Sequence, residues 1–165
     1  MLPKILSHGH LLSVFLLGLT SISVPLPAQK YTGPVPPIAD VPFLQHADNL
    51  IPTESALAKQ IEGRGETVYV IDGPSSKART PLAEPIFLIR TERIVPEKLE
   101  LYRLEVKNGR REVVFKKKKS PRPIRISVIR LDDRLYKVEA SEYLENGEYA
   151  LTPAESNQVF CFQIY

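Results

Sequence analysis

Asn108-Gly109 sits between two alternating runs, and no other dipeptide in the chain constrains the fold as tightly. A type I′ turn needs φ > 0 at both central residues, and Asn-Gly meets that need at low cost. A two-residue loop at this point pairs Val106 with Arg111, Leu104 with Val113, and Tyr102 with Phe115. The apolar members then share one face, while Arg103, Glu105, Lys107, Arg110 and Glu112 share the other. Such a hairpin belongs to a half-buried antiparallel sheet.

The same period of two governs the rest of the chain from Glu66 onward. Residues 67–72 alternate and are rich in β-branched side chains. Ile86, Phe87, Leu88 and Ile89 form an unbroken apolar run, as expected of a strand buried on both faces. A second hairpin joins residues 124–131 to 135–140. Parity selects its loop: a three-residue connection, Asp132 to Arg134, opposes Val128 to Val138 and Ile126 to Ala140, whereas a two-residue turn mixes the faces. The last strand runs over residues 159–165 with Phe160, Phe162 and Ile164 on one face. The expectation is an all-β chain, a single antiparallel β-sandwich of seven or eight strands over residues 66–165.

Residues 144–151, Leu-Glu-Asn-Gly-Glu-Tyr-Ala-Leu, have the form L-x-x-G-x-Y followed by alternation. This pattern resembles the tyrosine corner of immunoglobulin-like and fibronectin-type sandwiches. The resemblance makes Tyr149 the corner residue, puts Leu151 in place of the second core cysteine of antibody domains, and implies an Ig-like sandwich. It covers about the last 25 residues; the paired cysteines and the tryptophan of antibody domains are absent. Through Asp40-Val41-Pro42-Phe43-Leu44-Gln45-His46-Ala47-Asp48 and Pro85-Ile86-Phe87-Leu88, the chain also resembles uncharacterised exported proteins of environmental bacteria. No known activity comes with that resemblance.

The N-terminal segment reads as an export signal over residues 1–28. Lys4 is the only formal charge before Lys30, an apolar stretch fills residues 11–24, and the small Ala28 precedes a polar, proline-rich sequence. The apolar stretch is shorter than the roughly 20 residues a spanning helix needs, which favours cleavage over a retained anchor. A secreted or periplasmic location follows. Residues 29–65 then form a proline-rich arm, extended around Pro34, Pro36, Pro37 and Pro42. Within it a short helix is expected over residues 53–62: Thr53 is a fair N-cap, Leu57 and Ile61 lie four apart, and Gly63 and Gly65 end it.

Removing 28 of 165 residues leaves about 137, one domain by length and large enough to bury a core. A single cysteine, Cys161, means no intrachain disulfide helps. Its alternation with Phe160 and Phe162 turns it from the main core row, and a packing role is expected. The net charge of +3 drops to about +2 without Lys4, too small for general polyanion affinity.

The charge is nevertheless uneven. From Asn108 to Arg125 there are eight positive residues and one negative, Glu112. Lys116, Lys117, Lys118, Lys119, Arg122 and Arg125 are therefore the candidate anion-binding residues, held in a loop opened by like-charge repulsion. They suit lipopolysaccharide phosphates, acidic polysaccharide or another anionic surface. The ordinary alternative is a solvated loop whose lysines discourage edge-to-edge aggregation. No aromatic residues interleave the basic ones, which argues against single-strand nucleic-acid recognition by stacking. Gly73 to Thr80 carries hydroxyls and cations but matches no phosphate loop, and reads as an ordinary interstrand connection. His46 is the one histidine left after export, which excludes a three-histidine zinc site within one chain and leaves it as a loop histidine. No catalytic residue, metal ligand or cofactor is assigned. The function expected is a non-enzymatic exported module acting by contact with a protein or cell-envelope component. The alternatives are an electrostatic binder of anionic envelope polymers and a small carboxylate-dependent hydrolase.

Overall fold

The computed structural model describes residues 30–165, so the expected signal, residues 1–28, lies outside the described residues. Among these residues the chain forms thirteen strands and a single 3₁₀ turn, Pro96–Lys98. One sheet holds β1 (Phe43–His46), β2 (Asn49–Pro52), β7 (Ile86–Arg90), β10 (Ile126–Asp132) and β11 (Leu135–Ala140), in the order β10-β11-β7-β1-β2. The other holds β3 (Glu54–Leu57), β4 (Lys59–Glu62), β5 (Glu66–Asp72), β8 (Leu99–Lys107), β9 (Arg110–Lys116), β12 (Gly147–Pro153) and β13 (Gln158–Ile164). Its order is β3-β13-β12-β8-β9-β5-β4, with the short β6 (Arg79–Thr80) added parallel to β13. All other pairings are antiparallel. The fold is an all-β, sandwich-like packing of antiparallel sheets.

The strand count exceeds seven or eight because the arm is part of the sheets. Residues 43–62 supply four strands, and Leu44 on β1 is fully buried. Arg90 donates to the Pro36 and Pro37 carbonyls, at 3.3 and 3.1 Å, and pins the proline-rich stretch to β7. The helix expected over residues 53–62 does not form: this stretch is β3 and β4. Thr53 caps nothing; its amide and hydroxyl both donate to the Pro42 carbonyl, at 3.1 and 2.7 Å. Leu57 and Ile61, the expected apolar stripe, are exposed. A helix of about ten residues is marginal without a surface to pack on, whereas the extended form satisfies two sheet edges at once.

The two hairpins follow the expected registers in different degrees. In the second, Ile126 opposes Ala140 and Val128 opposes Val138 as expected, but the expected three-residue loop does not form. Asp132 pairs with Leu135, the turn is Asp133-Arg134 with Arg134 at φ +55°, and the odd residue is taken up as a register shift between Arg130 and Asp132. In the first, Asn108 and Gly109 have φ of +53° and +74°, and Val106 opposes Arg111. The ladder stops at Glu105–Glu112. Beyond it β8 stays with β12 and β9 with β5, so the two strands diverge.

The main core lies between the sheets. Leu44, Phe87, Ile89 and Val138 meet Leu101, Leu151, Phe160, Phe162 and Ile164, and the Phe87 and Phe162 rings touch edge to face at 4.9 Å. A second core occupies the opposite face of β8, β12 and β13, where Leu104, Ala150, Val159 and Cys161 join Ala58 and Ile71. This second core exists because the larger sheet returns on itself. Its end strands β3 and β4 are consecutive in the chain, separated only by the buried Ala58; β3 pairs β13 and β4 pairs β5. The result is a small ring of strands packed against the five-stranded sheet.

Candidate functional site

One row of side chains from each strand points into this ring. Cross-strand pairs place Gln60 by Tyr69, Tyr69 by Val113, Thr67 by Phe115, Glu148 by Leu104, Ala150 by Tyr102 and Cys161 by Glu54 on the same face. The two ends of the ring differ in chemistry.

The end where β8 and β9 diverge is open. A cavity of about 390 Å³ sits there, floored by Ala58, Ile71, Leu104, Val113, Ala150 and Val159. Three aromatic rings wall it. Phe115 packs edge to face with Tyr69 and with Tyr102, both at 5.5 Å between centroids. Phe115 and Tyr102 thus span the gap left by the parted hairpin strands. Polar groups sit on the rim: Gln60, Thr67, Glu100, Thr152 and, from the β12–β13 connection, Glu155 and Asn157. The Tyr102 hydroxyl donates to Glu100 at 3.0 Å. Burial and that bond push the phenol up to about 12, so it stays a donor.

The other end is closed by ions and by the connection from Gly73 to Thr80. Arg111 is fully buried and grips Glu54 at two points, Nη2–Oε1 2.7 Å and Nη1–Oε2 3.1 Å. It also donates to the Asp72 and Gly73 carbonyls, at 2.8 and 3.1 Å, and lies 3.8 Å from Glu148. Ser76 donates its amide to Glu148 Oε2 at 2.9 Å and its hydroxyl to the Cys161 carbonyl at 3.0 Å. Glu148 Oε1 is buried with no hydrogen-bond partner. Burial raises the Glu148 carboxyl above its usual value. At Glu54 burial acts the same way, but the Arg111 bonds outweigh it and the carboxyl is held low. The Gly73–Thr80 stretch, expected as a plain interstrand connection, thus ends in the short strand β6; Ser76 turns inward, while Ser75, Lys77 and Arg79 stay exposed.

The expected anion-binding residues lie elsewhere. Lys116, Lys117, Lys118, Lys119, Arg122 and Arg125 are all exposed on the outside of the fold. Their loop is a closed turn, contrary to the expectation of an open one: Lys119 N donates to Lys116 O and Lys117 N to Gly65 O, each at 3.1 Å. The backbone closes while the side chains fan outward, which relieves the repulsion without opening the loop. Lys116 pairs with Glu66 at 4.0 Å. Glu66, Glu105 and Glu112 line the groove beside the turn, so its field is mixed. Arg111, counted in sequence with this basic stretch, is buried inside the ring instead.

Tyr149 is buried, stacks on Phe162 at 5.5 Å and donates its hydroxyl to the Glu145 carbonyl at 2.8 Å. His46 ends strand β1 rather than lying in a loop, with Nε2 2.8 Å from the Thr80 hydroxyl. Cys161 is buried, and desolvation pushes its thiol up to about 12 despite the nearby Arg111.

The aromatic mouth was not foreseen, because its rings read as ordinary apolar positions of a half-buried hairpin. Two local signals point to the interior of the ring. Arg111 interrupts the apolar row opposite Val106, as a buried ion partner does. Alanines at 58 and 150 put small side chains in the inward rows, leaving space beneath the rings. Against family models, curated proteins and solved structures the chain shows no match.

Proposed function

We propose that this protein is an exported, non-enzymatic binding module that acts by contact with a protein or cell-envelope component, and that the contact is made at the open mouth of the ring. The observation that carries this reading is the aromatic-walled cavity of about 390 Å³ where β8 and β9 part. The mouths of small barrels and curled sheets are recurrent binding sites, and this volume falls in the usual range of roughly 300–1,000 Å³. Closure of the opposite end by Arg111, Glu54 and Ser76 supports a rigid site with one entrance. The export signal in the sequence supports a role outside the cytoplasm. The Tyr149–Glu145 bond supports an immunoglobulin-like origin for the β12–β13 end, since a tyrosine corner makes this kind of bond.

The test is a fragment screen followed by amide chemical shifts. Shifts gathering on residues of β5, β8 and β9 around Tyr69, Tyr102 and Phe115, and lost in Phe115→Ala, support the reading. Shifts gathering on any other surface overturn it. Fractionation of cells expressing a C-terminally tagged chain tests export: the tag remaining in the cytoplasm removes that half of the reading.

A second reading is electrostatic docking on anionic envelope polymers. It is supported by the outward fan of Lys116, Lys117, Lys118, Lys119, Arg122 and Arg125. Retention on heparin or lipopolysaccharide across a salt gradient, beside a variant with Lys116–Lys119 changed to serine, decides it. Binding that falls with salt and with the lysines supports docking; no retention at low salt removes it.

A further inference from the structure

The charge at the mouth of the ring runs against that of the chain. The protein carries 22 lysines and arginines, yet among the described residues none lines the cavity, and the carboxyls that line it there are Glu100 and Glu155. Both carboxylates share the cavity lining with an apolar floor and three aromatic rings, and Glu100 touches the Tyr102 hydroxyl. Edge-to-face packing leaves the faces of the edge-on ring uncovered by its partner, and a ring face attracts cations through its quadrupole. Carboxylates and aromatic faces together disfavour an anion and favour a compact positive group.

We propose that the mouth binds an organic cation: a primary amine or guanidinium carried on an apolar stem. This rests on the reading of the mouth as the contact site and adds the chemical class of what it takes. The stem fits the floor of Leu104, Val113 and Ala150, where burial of methylenes drives binding. The cation stays at the rim, held by Glu100 and Glu155 and by the adjoining ring faces. Tyr102 donates its hydroxyl to Glu100 and so positions that carboxylate.

The test uses three six-carbon probes on the purified protein, followed by amide shifts at residues of the mouth: hexylammonium, hexanol and hexanoate. Hexylammonium is expected to bind at least tenfold tighter than hexanol, and hexanoate more weakly than either. Glu100→Gln combined with Glu155→Gln keeps an acceptor for Tyr102 and is expected to bring hexylammonium down to the affinity of hexanol. Equal affinity for hexylammonium and hexanol in the wild type overturns the cation proposal while leaving the mouth as the contact site. Preference for hexanoate overturns it as well. No shift at the mouth with any probe overturns both. The dispersion of the amide spectrum checks that the double variant is folded, and Glu100→Gln alone, expected to lose part of the preference, serves if it is not.

Discussion

Arg111 and Glu54 meet inside the ring as a two-point ion pair, 57 residues apart in sequence and 2.7 and 3.1 Å apart in space. The pair ties β9 to β3, two strands separated by β5 and β4 along one arc of the ring and by β13, β12 and β8 along the other. Burial by itself favours a neutral guanidine, but the Glu54 bonds and the nearby carboxylates outweigh it, so Arg111 is held more firmly charged than usual.

Removing the cation strands two carboxylates. Arg111→Met is expected to lose about 3–5 kcal/mol, the range for breaking a buried pair, and toward the lower end because the Glu54 side chain is 29% exposed. Adding Glu54→Gln and Glu148→Gln to Arg111→Met should recover much of the loss. Urea midpoints of the single and triple variants check this. A triple variant no more stable than the single one would assign the loss to packing.

Acid and base act on the cluster with opposite signs. The Glu54 carboxyl is held low in the fold, so its contribution is present above its unfolded value and is lost as pH falls through the folded one. The Glu148 carboxyl is raised, so the fold is favoured while it is protonated and loses stability as pH rises from 4.5, its ordinary value, through the folded one. Glu148→Gln keeps an acceptor for Ser76 and leaves Arg111 balanced by Glu54 alone. This variant should gain on the wild type as pH rises through that window. Parallel denaturation series from pH 4 to 7 measure the difference; a constant gap contradicts it.

The Asn108-Gly109 turn is conformationally demanding and sterically open. Nothing approaches within 4 Å of a Cβ built on Gly109, so Gly109→Ala pays only for its φ of +74°, about 1 kcal/mol. Asn108→Pro should cost more, because proline requires φ near −65° where the chain has +53°. Thermal unfolding of the two variants ranks them; a smaller loss for the proline variant would contradict this account of the turn.

Cys161 should be silent in the native state. It is fully buried with its thiol pushed up to about 12, and a thiolate is the reactive form. Maleimide labelling is expected to be negligible in buffer and complete in urea, with the transition following global unfolding. Rapid labelling in buffer would mean that the ring opens at β13.

Local pattern was enough for the hairpins β8–β9 and β10–β11 and for the last strand, but not for β1–β2 or β4–β5, which also pair with their neighbours in sequence. The Asn108-Gly109 turn, the Val128–Val138 register and the inward row of Phe160, Phe162 and Ile164 all follow from turn chemistry and a period of two. Those signals act over a few residues and need no knowledge of distant partners. Residues 53–62 carried a weak helical pattern, but what decided them was two unpaired strand edges, β13 and β5, from distant parts of the chain. The same closure placed Arg111 inside the ring rather than with the basic surface. It also turned Tyr69, Tyr102 and Phe115 from core positions into the walls of a cavity. The sequence by itself determined an all-β chain and where the β8–β9 and β10–β11 hairpins turn. Tertiary structure decided which face of each strand became interior and where the ring stayed open, because both depend on contacts between segments that no local period encodes.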